Sequence, residues 1–174
     1  QISGKTVNDF SKPVTYSFVS ALGEVQKYTI QVKHSGLPVV VINTPGGAEI
    51  PPKTEDWLAD ATLTIYNTDA TIGYAGTTGI RGRGNSTWKY PKKPYALKLD
   101  SKAEILGMPK HKKWVLMANY RDKTLMRNSV SWWISRKLPA LKYVPKYVQA
   151  EMIFNGAHRG VYQLAEQVRI DKNR

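Results

Sequence analysis

Apolar and polar positions recur along the chain with two different periods, and the change of period marks its parts. Over residues 13–20 and 25–33 they alternate, with Tyr16 and Phe18, then Tyr28, Ile30 and Val32, on repeating faces. With Ala21-Leu22-Gly23-Glu24 between them, this predicts a β-hairpin. Residues 37–43 (LPVVVIN) form a continuous β-branched run, as expected for a strand buried on both faces. Thr44-Pro45-Gly46-Gly47 turns the chain, and residues 51–60 are polar, with a short helical turn around 54–58. Residues 61–67 set Leu63 and Ile65 against Thr62, Thr64 and Tyr66, again a strand. A glycine-rich loop is expected from Gly73, then a strand over 95–99, a basic loop over 100–113 and a buried strand over 114–118. Only residues 123–138 show helical spacing, with apolar residues at 125, 126, 130, 133, 134 and 138, Asp122 as N-cap and Pro139 as stop. Trp132 and Trp133 are expected to pack. Two apolar runs, 148–154 and 157–168, flank Asn155-Gly156, the strongest short hairpin signal, and residues 169–174 form a polar tail.

Strands, a glycine loop, one helix and a hairpin predict an α+β class: a mixed or antiparallel sheet with one main helix, plus the N-terminal hairpin. A lone hairpin is marginal in water. Residues 1–34 are therefore expected to be separable from residues 35–174, joined through His34-Ser35-Gly36; the competing expectation is that the hairpin adds a layer to the main sheet.

Composition narrows the partners. The chain has 174 residues and no cysteine, which excludes disulfides, thiolate zinc sites and cysteine nucleophiles. No apolar run reaches the ~18 residues of a membrane span. No signal-peptide pattern opens the chain, so a secreted origin implies a mature or excised piece. The net charge is +13, and it is concentrated: residues 81–146 carry 17 Lys and Arg against 3 Asp and Glu. That block predicts an anionic partner, whether nucleotide, anionic polymer or nucleic acid, or else an acidic region of the same protein outside this chain.

The chemistry centres on residues 80–99, IRGRGNSTWKYPKKPYALKL. Arg81, Gly82, Arg83, Gly84, Asn85 and Ser86 place two guanidinium groups, two glycines and small donors in six residues, and arrays of backbone N–H groups bind anions. Tyr95, Leu97 and Leu99 share one strand face, which turns Lys98 to the other. A glycine-rich anion loop followed by a strand lysine is how kinases hold nucleotide phosphates. On that expectation Lys98 and the 81–86 loop face one concavity. A solvated basic turn and a solvent-facing lysine are the plain alternatives. Residues 123–138 hold no acid to pair with Lys98, which leaves Glu151 and Glu166 as substitutes. His34, His111 and His158 are too scattered for a metal cluster, so no metal ligand is assigned. Ser86 has no neighbouring His or Asp for a hydrolase triad. Aromatics among the lysines, Trp88, Tyr90, Tyr95 and Trp114, also suit stacking on bases.

The blocks RGRGNSTW, PKKPYALKL, Ile105-Leu106-Gly107-Met108-Pro109-Lys110, WVLMANYRDKTLMRN and NGAHRGVYQLAEQV occur in this order, and over residues 35–174 the chain resembles the spore coat protein H (CotH) kinase family. The resemblance implies a divergent protein kinase small lobe, ATP with Mg or Mn as cofactor in a full-length parent, and phosphate transfer to a surface or coat protein. It also implies a bacterial, extracellular or cell-surface location. Glu166 enters the site by this resemblance. The metal-binding aspartates of the family lie in blocks downstream of NGxxxGVYxLxExV that this chain lacks. The implied catalytic residues are thus unknown here, no tightly bound cofactor is expected, and the chain alone is expected to be inactive. The alternative is a non-catalytic structural or polyanion-binding module of a surface protein. Residues 1–34 resemble the last strands of a bacterial immunoglobulin-like repeat.

Overall fold

A computed structural model describes residues 12–31 and 35–169; Val32, His34 and Asp171 lie outside the described residues. The chain divides into two compact units, Gln1–Gly36 and Leu37–Arg174. In the first, β1 (Val14–Val19) and β2 (Val25–Ile30) form an antiparallel hairpin closed by the Ser20–Glu24 backbone bond of 2.8 Å. Its pairing is reinforced by Thr15 with Thr29 and by the edge-on rings of Phe18 and Tyr28, 5.7 Å apart.

The second unit is a closed barrel, not the α+β sheet expected from the sequence. Its strands are β3 (Val39–Asn43), β4 (Leu58–Tyr66), β5 (Ile72–Gly82), β6 (Tyr95–Ile105), β7 (Met108–Met117), β8 (Tyr147–Phe154) and β9 (Ala157–Glu166). They close in the order β3-β4-β5-β6-β7-β9-β8, with every pair antiparallel except β3 and β8. The described residues hold a single α-helix, α1 (Arg127–Ser135). A kinase-like small lobe is therefore the wrong architecture.

Three local misreadings account for the difference. Residues 100–113 carry enough lysine to read as a loop, yet Leu97, Leu99 and Ile105, then Met108, His111 and Trp114, are all buried. They are two arms of a hairpin turned by Leu106 and Gly107, both at positive φ (49° and 71°). That geometry is the two-residue hairpin turn, which Asn-Gly signals openly and Leu-Gly does not. Residues 73–82, read as a loop for their glycines, belong to an eleven-residue strand. The helix shortens to nine residues because Asp122 does not cap it directly: its carboxylate gathers Thr124 N–H (3.1 Å), Thr124 Oγ1 (2.7 Å) and Arg127 N–H (2.8 Å), and the helix starts only after that turn.

The interior is filled by alternate side chains of every strand, as a small barrel requires. One row of register partners, Ile80, Leu97, Trp114 and Glu166, runs around the inner wall. The next row, Gly79, Lys98 and Lys113, faces outward. β3 alternates buried Val40 and Ile42 with half-covered Val39 and Val41, so this strand is buried on its inner face rather than on both.

Candidate anion-binding cleft at the mouth of the barrel

At one end of the barrel, residues 83–94 run from β5 to β6 and fold over the mouth. Trp88 is the plug. Its ring lies over Gly82, where an added Cβ would sit 2.6 Å from ring carbons, and it meets Tyr95 edge-on at 6.2 Å. Tyr95 in turn stacks on Tyr162 at 6.1 Å, and the Tyr162 hydroxyl donates to Lys93 O at 3.0 Å. Burial, then the neighbouring Tyr95, pushes the Tyr162 hydroxyl well above its usual range, against the pull of Arg159.

Between the 83–94 loop and residues 117–128 lies a cleft of about 390 Å³. Arg83, Lys92, Arg121 and Arg127 line it, with Asp122 the one acid. Burial holds the Arg83 guanidinium and the Lys92 ammonium below their ordinary values, since a low-dielectric setting disfavours the charged form. Lys92 is partly compensated: its amine donates to Val161 O and lies 4.5 Å above the Tyr162 ring. The Arg83 side chain makes no hydrogen bond or ion pair among the described residues. A half-buried guanidinium without an acceptor is an unmet demand for an anion.

The other wall is rigid for a traceable reason. Asn119 takes a positive φ of 46°, donates to Gln163 Oε1 at 3.1 Å and accepts from Asn128 at 2.9 Å. Asp122 is held below the ordinary carboxylate value by the Thr124 hydroxyl first, then the Arg127 N–H, with Arg127 Nε 3.7 Å away. Tyr90 and Tyr120 stack at 5.5 Å across the rim, with Arg121 5.2 Å above the Tyr90 ring.

The residues proposed from sequence are dispersed. Arg83 and Ser86 line the cleft. Arg81 points out of the barrel, its guanidinium 4.5 Å above the Trp57 ring. The N–H of Gly82 is spent on Pro51 O (2.7 Å) and that of Arg83 on Pro94 O (3.0 Å), so neither can cradle an anion. Gly84, at φ +87°, makes the left-handed turn into the short 3-10 segment Ser86–Lys89. Asn85 Oδ1 accepts from Lys53. Lys98 shares the outer face with Arg81 but is exposed and does not line the cleft. Glu166 is buried inside the wall, accepting from Lys146 N–H at 2.8 Å and the Tyr143 hydroxyl at 3.2 Å. Lys98 and Glu166 thus lie on opposite faces of the barrel wall, outward and inward, while Glu151 lies 3.4 Å from His158. Sequence reasoning missed Lys92, Arg121 and Arg127 as site residues. The available signal was Arg121-Asp122 four residues past the buried strand that ends at Met117.

Chemically, the arrangement can hold an anion of phosphate size or larger between the 83–94 loop and the start of α1. No cluster of three or more His, Asp or Glu able to hold a metal occurs among the described residues.

Fold and cleft together define a small β-barrel with a cationic mouth. The model of the CotH kinase protein family matches residues 80–174, more than half of the chain, and the chain belongs to that family. The match begins at Ile80, so it covers the plug, both cleft walls and the later strands, leaving β1 to β4 and most of β5 outside it. No curated protein matches the chain.

Proposed function

We propose that the mouth cleft binds the phosphate groups of a nucleotide, ATP by family, and that in a full-length parent it serves phosphate transfer to a bacterial surface or coat protein outside the cell. The observation that carries this is Arg83: a half-buried cation, unpaired among the described residues, in a cleft that also holds Arg121 and Arg127. A triphosphate satisfies the guanidinium through charge-assisted hydrogen bonds. Tyr120 and Tyr90 offer an aromatic edge beside it. The described residues supply no carboxylate set for Mg or Mn, so this chain's contribution is binding and orientation of the anion, with no transfer step drawn from it. No helix among the described residues is long and apolar enough to cross a membrane.

Calorimetric titration with ATP and with tripolyphosphate checks the assignment. Arg83→Gln is expected to weaken both by about tenfold or more, since hydrogen bonds to charged groups contribute about 1.5–3 kcal/mol. Lys98→Gln is expected to leave both unchanged. Wild-type protein that binds neither ligand, or binding lost through Lys98 rather than Arg83, defeats the proposal.

The outer wall favours a second role as a polyanion-binding surface. Lys98 stands directly opposite Lys113, so the wall presents neighbouring cations that a polyanion can contact through its charge alone. Binding of heparin there should fall steeply between about 50 and 200 mM salt.

A further inference from the structure

Helix α1 is mounted with its polar side toward the barrel. Ser129 accepts from Gln149 and Gln163 (both 3.3 Å) through its hydroxyl and from Tyr147 (3.3 Å) through its carbonyl. Asn128 bonds Asn119, and Trp132 is the one large ring on that side, 5.1 Å from the Tyr147 ring. The apolar stripe that the spacing predicted as core-facing looks outward instead. Met126, Val130, Trp133 and Ile134, at i, i+4, i+7 and i+8, are 58, 45, 60 and 48% exposed, and Leu138 and Leu141 extend the stripe at 50 and 48%. An isolated exposed apolar residue is ordinary; a contiguous stripe of this kind marks an interaction site.

Its border is mostly basic, the one acid beside it among the described residues being Asp122, which pairs with Arg127 at the start of the helix. From residue 123 to 150 there is no Asp or Glu, while Lys123, Arg127, Arg136, Lys137 and Lys142 flank or interrupt the stripe. We infer that the stripe docks an acidic amphipathic segment of a partner protein: a helix with aliphatic or aromatic side chains at i, i+3 or i+4, and i+7, bordered by Asp and Glu. The apolar anchors fill the stripe and the carboxylates meet the lysines at the rim. A second copy of this chain is disfavoured, because two such faces would bring their lysines together. A lipid surface is the competing occupant, and recruitment to vesicles in the test below overturns the inference.

Fluorescence anisotropy with a labelled Leu/Glu helical peptide, patterned at i, i+3, i+4 and i+7, tests the inference against a scrambled peptide of the same composition. The patterned peptide should bind more tightly than the scrambled one. Trp133→Ser with Ile134→Ser should weaken it about tenfold or more, the loss expected when interface anchors are truncated. Lys137→Glu with Lys142→Glu should weaken it less and flatten its salt dependence. Circular dichroism should stay unchanged in both variants, because all four side chains are largely exposed. Equal binding of the scrambled peptide, or no binding, overturns the inference. So does recruitment to phosphatidylcholine–phosphatidylserine vesicles that Trp133→Ser abolishes, or a sedimenting dimer that the same change dissolves.

Discussion

The barrel mouth and the outer wall of β5 and β6 are both rich in cations, and only one of them is built to need an anion. On the outer wall Lys98 is solvated, and Arg81 has the Trp57 ring to rest on. At the mouth, burial takes water away from Arg83, and no acceptor among the described residues meets it. The two arginines are two residues apart in sequence. Density of charge along a chain therefore says little about a binding site; what matters is which cation the fold desolvates without compensating it.

The sharpest way to break this contrast is to remove the plug. Gly82→Val places a side chain where the Trp88 ring sits, and overpacking of this kind costs about 1–3 kcal/mol. Urea unfolding should show the loss, and anion binding should fall with it as the 83–94 loop lifts. A stability unchanged from wild type would show that Trp88 does not close the mouth.

Acid should act on the mouth more than on the wall, through Asp122. Its folded pKa lies below the ordinary 3.8, so the stability it confers is complete above that value and is lost as pH falls through it toward the folded value. Asp69 is held low in the same way by Thr71, far from the cleft, so the wild-type acid transition contains both. Asp122→Asn should remove the part seen in Trp132 and Trp133 fluorescence. If that variant titrates like wild type below pH 4, Asp122 does not hold the start of α1.

The smallest effects belong to the outer wall. Arg81→Ala should cost about 0.5–1 kcal/mol, the scale of an exposed cation–π contact, and quench or shift Trp57 emission. Lys98→Gln should stay within about 0.5 kcal/mol, as surface changes do. A larger loss for Lys98 than for Arg81 would invert the comparison.

Much of the strand content was legible. Leu63 and Ile65 against Thr62 and Thr64 gave β4, Leu97 and Leu99 against Lys98 gave the start of β6, and Asn155-Gly156 gave the β8–β9 turn, where both residues take positive φ. These are local patterns, fixed by side-chain alternation and turn chemistry. The hairpin at Leu106-Gly107 was not legible, because its first turn residue is leucine and its arms are lined with lysine. The candidate site was half legible. Arg83 and Ser86 were marked by composition, but Gly82 turned out to seat a tryptophan rather than a phosphate, and Lys98 and Glu166 fell on opposite faces of the wall.

The chain by itself determined the strand periodicity, the turn at Asn155, the block of positive charge and the family to which residues 80–174 belong. Tertiary structure alone decided the closure of the barrel, since the parallel pairing of Val39–Asn43 with Tyr147–Phe154 joins segments about a hundred residues apart. Closure in turn decided which arginine is desolvated and which face of α1 is left outside. No local rule contains that information: a side chain's alternation along its strand is set by its neighbours, but the inside of a barrel exists only once its ends have met.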